Sequence, residues 1–313
     1  MTLITTNKTL YFLPLLLGTL FLTGCETVID TKIDSAPSQL AVDAWLTDQP
    51  GEQKIRLTQT RNYFDNGPAT PVTSASVLVG EVSAAGNSIV RRFAFTDPDN
   101  DGTYSWKPAN SSDTAKLGVI GRTYALSIAY GSESYVAIAQ MPRIPSIDSL
   151  TFSKQKINPV SSETGYRAEF YATDIAGAAD YYYIRYYRNG QLQNRPQDII
   201  LAYNGAFRGS ADTDGLQFIR PIRQSANPEK LYALNDSVRI EMRAITLEGY
   251  TFWELLKAQL QNAGLFATPP ANVPSNIRNV RTNGPAAVGF FLVSPVRTRR
   301  ATVTKEFLRG DGA

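Results

Sequence analysis

Short segments in which apolar and polar residues alternate recur from about residue 39 to near the end of the chain. In "KIRLT" at 54–58, Ile55 and Leu57 point to one side of an extended backbone and the polar residues point to the other. A period of two residues is typical of β-strands that bury one face. Turn residues such as Gly86 and Asn87 separate the segments. The alternation therefore predicts an all-β fold.

The first group of segments predicts an immunoglobulin-like β-sandwich at residues 39–143. About seven strands fit into roughly 105 residues, which is the usual size of such a domain. Tyr124 follows Gly121 at the position where these sandwiches often carry a corner tyrosine, and we expect it to pack in the core. The predicted strands lie at 39–48, 54–58, 75–82, 89–96, 103–106, 122–130 and 134–141.

A segment with two prolines, "MPRIPSID" at 141–148, is typical of a linker. A second β-rich domain is therefore expected at 144–313. Its stretch at 191–236 is polar and rich in Gly, Asn and Pro, which indicates long loops with one or two short strands. The clearest predicted strands of this domain lie at 165–173, 180–190, 237–246, 286–294 and 299–307.

One segment of the second domain has helical instead of strand periodicity. In "EGYTFWELLKAQLQNAG", apolar residues from Trp253 to Leu260 recur every three to four positions. Thr251 is a suitable N-cap, and Gly264 is a suitable stop at the C-terminal end. A single amphipathic helix is therefore expected at about 250–263, with its apolar stripe packed on a sheet.

The N-terminus predicts a membrane anchor. A polar start with one lysine precedes an apolar run at 10–22, which is too short for a helix that spans a bilayer but suits a secretory signal. The sequence "LTGC" that ends at Cys25 resembles a bacterial lipobox, in which the cysteine receives acyl chains such as palmitate. We therefore expect a signal peptide at 1–24, a lipidated Cys25 and a tether at 25–38.

The residue composition excludes several kinds of active site. The chain has no histidine and one cysteine, so it cannot form a Ser-His-Asp triad, a His-containing metal site or an internal disulfide. The formal charge of +3 is small for 313 residues and Lys and Arg are scattered, so no nucleic-acid partner is expected. Without a nucleophile motif or an evident carboxylate pair, the chain is predicted not to be an enzyme. A glycan hydrolase that uses two carboxylates is the enzymatic alternative.

Several motifs occur in an order known from one family: the lipobox, the strand "LAVDAWLTD", the segment "GRTYALSI", the helix "FWELL" and the loop "PPANVPSNI". In these motifs the chain resembles a group of Bacteroidota lipoproteins known as domain of unknown function 4249, over nearly the whole mature length. The resemblance implies a lipoprotein of the outer membrane, often displayed on the cell surface and associated with TonB-dependent transporters. It implies no established enzyme activity. The chain departs from the family pattern after Ile277, where "RNVRTNG" stands in place of an expected Gly-Gly.

One loop contains the first half of a calcium-binding pattern. In "TDPDNDGTYSW", Asp97, Asp99 and Asp101 precede Gly102, as in an oxygen-ligand calcium loop. Pro108 stands where a bidentate Glu would complete the shell. A β-turn between strands uses the same residue types for backbone reasons, so a turn without metal is the alternative to a calcium site. No other cofactor is expected.

Two further groups of residues are candidates for a surface that binds a ligand or partner. In "YYYIRYY", Tyr181, Tyr183, Arg185 and Tyr187 share one face of a predicted strand, where they could stack on a sugar or peptide. Tight packing of the tyrosines is the alternative. Asn272 and Asn276 belong to the loop that carries the family resemblance. The candidate surface is formed by Tyr181, Tyr183, Arg185, Tyr187, Asn272 and Asn276.

These observations predict an outer-membrane lipoprotein, anchored by lipid, that acts by binding. We expect it to serve as an accessory module of a TonB-dependent transporter in nutrient uptake. A surface adhesion or structural module, stiffened by calcium, is the first alternative, and the carboxylate-dependent hydrolase is the second.

Overall fold

The computed structural model describes residues 37–308, except 63–64, 66, 110–116, 159, 204–214 and 263–272. Ser38–Ala313 form one compact unit. The predicted signal peptide, Cys25 and most of the tether lie outside the described residues.

The described residues form an all-β protein with one long helix, as the alternation predicted. The strands are β1 (Leu40–Thr47), β2 (Gln53–Gln59), β3 (Ser76–Val82), β4 (Ile89–Phe95), β5 (Thr103–Trp106), β6 (Thr123–Tyr130), β7 (Glu133–Gln140), β8 (Ile147–Lys156), β9 (Thr164–Ala172), β10 (Tyr181–Arg188), β11 (Gln191–Leu192), β12 (Ile200–Tyr203), β13 (Ser237–Ile245), β14 (Arg278–Asn279), β15 (Ala287–Ser294) and β16 (Val296–Thr302). The helices are α1 (Arg220–Arg223) and α2 (Leu247–Gln261), with short 3-10 turns at Pro196–Asp198 and Lys305–Phe307.

The strands of the first half of the chain, together with β14 and β15, form two sheets around a shared core. One sheet has the order β15-β1-β2-β5, and the other has the order β14-β7-β6-β3-β4. Alternate residues of both sheets, including Leu57 and Leu126, point into the same buried cluster. Tyr124 is fully buried there, and its hydroxyl donates to the carbonyl of Leu117 at 3.2 Å and accepts from the N–H of Val119 at 2.9 Å. The predicted corner tyrosine thus packs in the core and fixes the preceding loop.

A strand from the far end of the chain completes this sandwich. β15 pairs with β1 in parallel along its whole length, from Leu40 opposite Ala287 to Thr47 opposite Ser294. Gly289 allows the close approach, since it has a φ of +98° and any Cβ there would overlap the carbonyl of Val42. The sheet therefore contains strands from both sides of the predicted domain boundary between residues 143 and 144.

The remaining strands enclose a second core. The hairpin β8-β9 faces a sheet of order β11-β10-β13-β16, to which β12 adds beside β10. Phe152 and Phe170 of the hairpin are buried in one cluster with Tyr182, Tyr186 and Met242 of the sheet. β8 begins inside the segment that the prolines marked as a linker, so the connection between the two cores is shorter than predicted.

The helix begins earlier than the sequence indicated. The N-cap is Thr246, whose side chain accepts a hydrogen bond from the N–H of Gly249 at 3.2 Å. Thr251 lies inside the helix and donates to the carbonyl of Leu247 at 3.0 Å, so its prediction as the N-cap was wrong. The helix ends at Gln261, and the predicted stop at Gly264 lies outside the described residues.

Only part of the predicted apolar stripe of α2 is used for packing. Trp253 and Tyr250 contact a third apolar cluster, which includes Leu292 of β15 and joins the two cores. Leu260, at the other end of the helix, is 50% exposed. Among the described residues, no helix has the length and apolar composition needed to cross a membrane.

Candidate functional site

The predicted aromatic face of β10 is divided into two parts. Tyr181 and Tyr183 lie under α2, where the ring of Tyr183 is 4.7 Å from Trp253 and 5.0 Å from Trp45 between centroids. Tyr181 contacts Tyr250 at 5.4 Å. Burial raises the pKa of the Tyr183 hydroxyl. These two tyrosines therefore pack the helix against the sheet. They fit the packing alternative and do not form an open surface for stacking a ligand.

Arg185 and Tyr187, further along the same face, surround a buried carboxylate. One oxygen of Glu241 forms ion pairs with Arg243 Nη2 at 2.7 Å and with Arg185 Nη1 at 3.5 Å. The other oxygen accepts a hydrogen bond from the hydroxyl of Tyr187 at 3.3 Å. Burial acts to raise the pKa of Glu241, but the charges of Arg243 and Arg185 outweigh it and hold the pKa below its usual value. Glu241 is therefore ionised at neutral pH and neutralises only part of the surrounding positive charge.

More arginines continue this face onto the neighbouring strands. Arg239 stacks on the Tyr187 ring, with the guanidinium carbon 3.6 Å from the ring centre. Arg300 lies opposite Arg239 on the edge strand β16 and is exposed. We call this part of the sheet the arginine face, and it is formed by Arg185, Tyr187, Arg239, Glu241, Arg243, Thr298 and Arg300.

A polar cleft lies on the other side of β10. It has a volume of about 460 Å³ and is bordered by the 3-10 turn Pro196–Asp198 and by the loop after α1. This is within the range of small-molecule sites. Sequence reasoning missed the cleft because its side chains come from separated loops that carry no shared spacing. The lining residues are Tyr186, Arg195, Gln197, Asp198, Ile200, Ser225, Asn227 and Glu229.

The centre of the cleft is an ionised aspartate. Asp198 is buried and accepts the hydroxyl of Tyr186 at 2.6 Å and the guanidinium Nε of Arg195 at 2.9 Å. Burial acts to raise the pKa of Asp198, but the hydrogen bonds from Arg195 and Tyr186 lower it below the usual value. A carboxylate with these partners can position a polar ligand, but it is not a proton donor at neutral pH.

The arrangement of acids bears on the hydrolase alternative. Asp198 and Glu229 line the same cleft, but Asp198 is held in its ionised form by Arg195 and Tyr186, whereas two-carboxylate hydrolysis needs one protonated acid. Glu229 is 89% exposed and pairs with Arg195 at 3.7 Å. Glu169 is instead held by Arg223 at 3.0 Å, so it is used in a structural ion pair.

The aspartates of the predicted calcium loop are directed at the backbone. The carboxylate of Asp97 accepts the N–H of Asp101 at 3.2 Å and the N–H of Gly102 at 3.0 Å, and Asp101 accepts the N–H of Thr103 at 2.7 Å. Asp99 is exposed in the turn. Nowhere in the described part of the chain do three or more acidic side chains come close enough to hold a metal ion. The geometry is that of the turn alternative, and calcium binding stays a prediction.

Asn276 has a structural role. Its carboxamide donates to the carbonyl of Phe291 and accepts from the N–H of the same residue, both at 2.9 Å. It therefore extends the hydrogen bonding of β15 and has little capacity left for a ligand. Asn272, the other asparagine of the predicted surface, lies outside the described residues.

Together, the two joined β cores, the polar cleft and the arginine face define an all-β protein of the sandwich type with two polar surfaces. Comparison with known families then identifies the group. Residues 26–300 match the family described as "Domain of unknown function (DUF4249)", and the chain belongs to that family. The match confirms the resemblance at the level of the domain family. No curated protein matches the chain.

Proposed function

We propose that this protein is an outer-membrane lipoprotein that acts by binding and works with a TonB-dependent transporter in nutrient uptake. The observation that carries the proposal is the sequence "LTGC" ending at Cys25, behind a short apolar run. The family match begins at residue 26, directly after this cysteine, and the compact unit begins at Ser38. A lipid on Cys25 would therefore be separated from the folded unit by a short tether.

The binding role draws support from the two polar surfaces. The carboxylates at their centres, Asp198 and Glu241, are ionised and hydrogen-bonded, so each surface offers fixed donors and acceptors. Fixed polar groups reduce the ordering cost of ligand binding. A stationary receptor at the membrane could hold a nutrient by such a surface and present it to a transporter.

The test uses the native lipoprotein. Mass spectrometry of protein purified from membranes is expected to show a chain that begins at Cys25 and carries acyl groups. Pull-down from detergent-solubilised outer membranes is expected to recover a TonB-dependent barrel. Cys25→Ser is the matched control, since it removes the acceptor thiol and leaves the folded unit unchanged. An intact leader on the wild-type protein would refute the anchor, and failure to enrich a barrel over this control would refute the partnership.

A further inference from the structure

The arginine face carries much more positive than negative charge. Three rows of side chains cross from β10 to β13 and then to β16. They place four arginines and one carboxylate, that of Glu241, on the same face of the sheet. The rows, each given in strand order, are Tyr183–Arg243–Val296, Arg185–Glu241–Thr298 and Tyr187–Arg239–Arg300.

Within the part of the chain that the structure describes, two of the four arginines have no carboxylate at ion-pair distance. Glu241 is engaged by Arg243 and Arg185, and among the described residues neither Arg239 nor Arg300 forms an ion pair. These two are directly opposite each other on adjacent antiparallel strands. Like charges in this position repel and destabilise a sheet. An anion bound from outside would remove that repulsion.

The two guanidinium groups differ in how open they are to a ligand, since Arg300 is exposed and Arg239 is half-buried. Arg300 is exposed on the edge strand, as is Thr298 beside it. Arg239 is held flat against Tyr187 at 3.6 Å, a cation–π contact that fixes its orientation. Its Nε is buried without a hydrogen-bond partner, so a ligand would contact the other nitrogens of this half-buried guanidinium. A guanidinium fixed in this way loses less freedom on binding an oxyanion than a free side chain does.

The shape of the face selects among anionic ligands. The row that contains Tyr183 is covered by α2, so the open part of the face consists of the other two rows. These rows cross three strands, a width of about 10 Å, so the face suits a ligand whose charges recur along a chain. Single-stranded nucleic acid needs open aromatic faces for stacking, and one face of the Tyr187 ring is covered by Arg239. Protein interfaces depend on apolar anchors that fill pockets, whereas the residues of this face are polar or charged.

We propose that the arginine face binds an acidic polysaccharide through its carboxylate or sulfate groups. Arginine forms paired hydrogen bonds with such planar or tetrahedral oxyanions, and several weak contacts along one chain add up. This inference names a ligand class for the proposed binding module and rests on that function.

The experiment measures binding of full-length protein in neutral detergent to heparin and to polygalacturonate, with dextran as the uncharged reference. Arg239→Gln and Arg300→Gln are each expected to weaken binding about fivefold, the effect of one exposed ion pair. Arg299→Gln is the matched control, because it removes the same charge from an exposed neighbour that alternates to the opposite face of β16. It is expected to leave affinity unchanged. Unaltered melting temperatures for Arg300→Gln and Arg299→Gln show that this comparison reports binding.

Several results would overturn the inference. Equal losses in Arg299→Gln and Arg300→Gln would mean that only net charge matters. Equal affinity for polyglutamate would mean that an acidic peptide is the ligand class, and equal affinity for dextran would mean that charge is irrelevant. The outcome is separable from that of the proposed function. A lipidated protein that recovers a barrel but binds neither polysaccharide refutes this inference alone, and an unlipidated protein that binds both refutes only the anchor.

Discussion

Asn276 joins two stretches of backbone through a single carboxamide. Because it both donates to and accepts from Phe291, Asn276→Ala would leave a backbone N–H and a carbonyl of β15 without partners. We expect the free energy of unfolding to fall by about 1–3 kcal/mol. Urea titration measures the loss, and Asn87→Ala, in an exposed turn, serves as the control. A loss no larger than that of the control would show that water replaces the side chain.

Asp198 makes the stability of the protein depend on pH. Its pKa is lower in the folded chain than in the unfolded chain, where a value of about 3.9 is usual. Its stabilising contribution is therefore complete above pH 4 and is lost as the pH falls through the folded-state pKa. Asp198→Asn is expected to lower the free energy of unfolding at pH 7 by about 1–2 kcal/mol, and less at pH 3.

Urea titrations of wild type and Asp198→Asn at several pH values check this expectation. Asp99→Asn is the matched control, since Asp99 is exposed in a turn. A difference between wild type and Asp198→Asn that does not change between pH 7 and pH 3 would contradict the assigned ionisation.

At the scale of elements, the start of α2 depends on one side chain. Thr246 accepts the N–H of Gly249, which would otherwise lack a partner in the first turn. Thr246→Ala is expected to cost about 1 kcal/mol of unfolding free energy. Thr251→Ala should be neutral or slightly stabilising, because Ala has the higher helix propensity and the hydroxyl of Thr251 only bonds back to Leu247. Thermal melts of the two variants decide which threonine is the cap, and the reverse order of stability would refute the assignment.

The positions of the strands were more predictable from the sequence than the pairing between strands. Alternation located β2, β6, β10 and β13 to within a residue or two, because in each strand alternate apolar residues are buried in a core. The parallel pairing of β1 with β15 has no local signal, since the paired residues are separated by more than 240 positions. The packing of α2 on Tyr183 could not be predicted for the same reason. Both depend on tertiary contacts that no short window of sequence contains.

The candidate site shows the same limit. Arg185 and Tyr187 could be placed on a common strand face from their spacing, and the structure puts them on the arginine face. Glu241 and Arg239 were visible only as alternating polar residues of another strand. Their convergence depends on the register between β10 and β13, which the sequence pattern of one strand does not specify.

At the scale of the whole molecule, the return of β15 makes the N-terminal sandwich dependent on the end of the chain. β15 contributes Phe291, Val293 and Ala287 to the first core, and Phe291 is fully buried. Burial of a side chain such as Phe or Val contributes about 1.5–3 kcal/mol, and a domain has only about 5–15 kcal/mol of net stability. A fragment of residues 38–143 would lose both these core contacts and β15, the strand that pairs with β1 on one side.

We therefore expect the 38–143 fragment to lack a cooperative thermal transition and to aggregate through the open edge of β1. The 38–313 fragment, which retains β15, is the control and is expected to melt cooperatively with native near-ultraviolet circular dichroism. Addition of a peptide with the β15 sequence should partly restore structure to the short fragment, since it supplies the missing strand. Cooperative melting of 38–143 alone would instead show that the sandwich is an independent module, with β15 an accessory to it, and the predicted boundary near residue 143 would then describe how the chain folds.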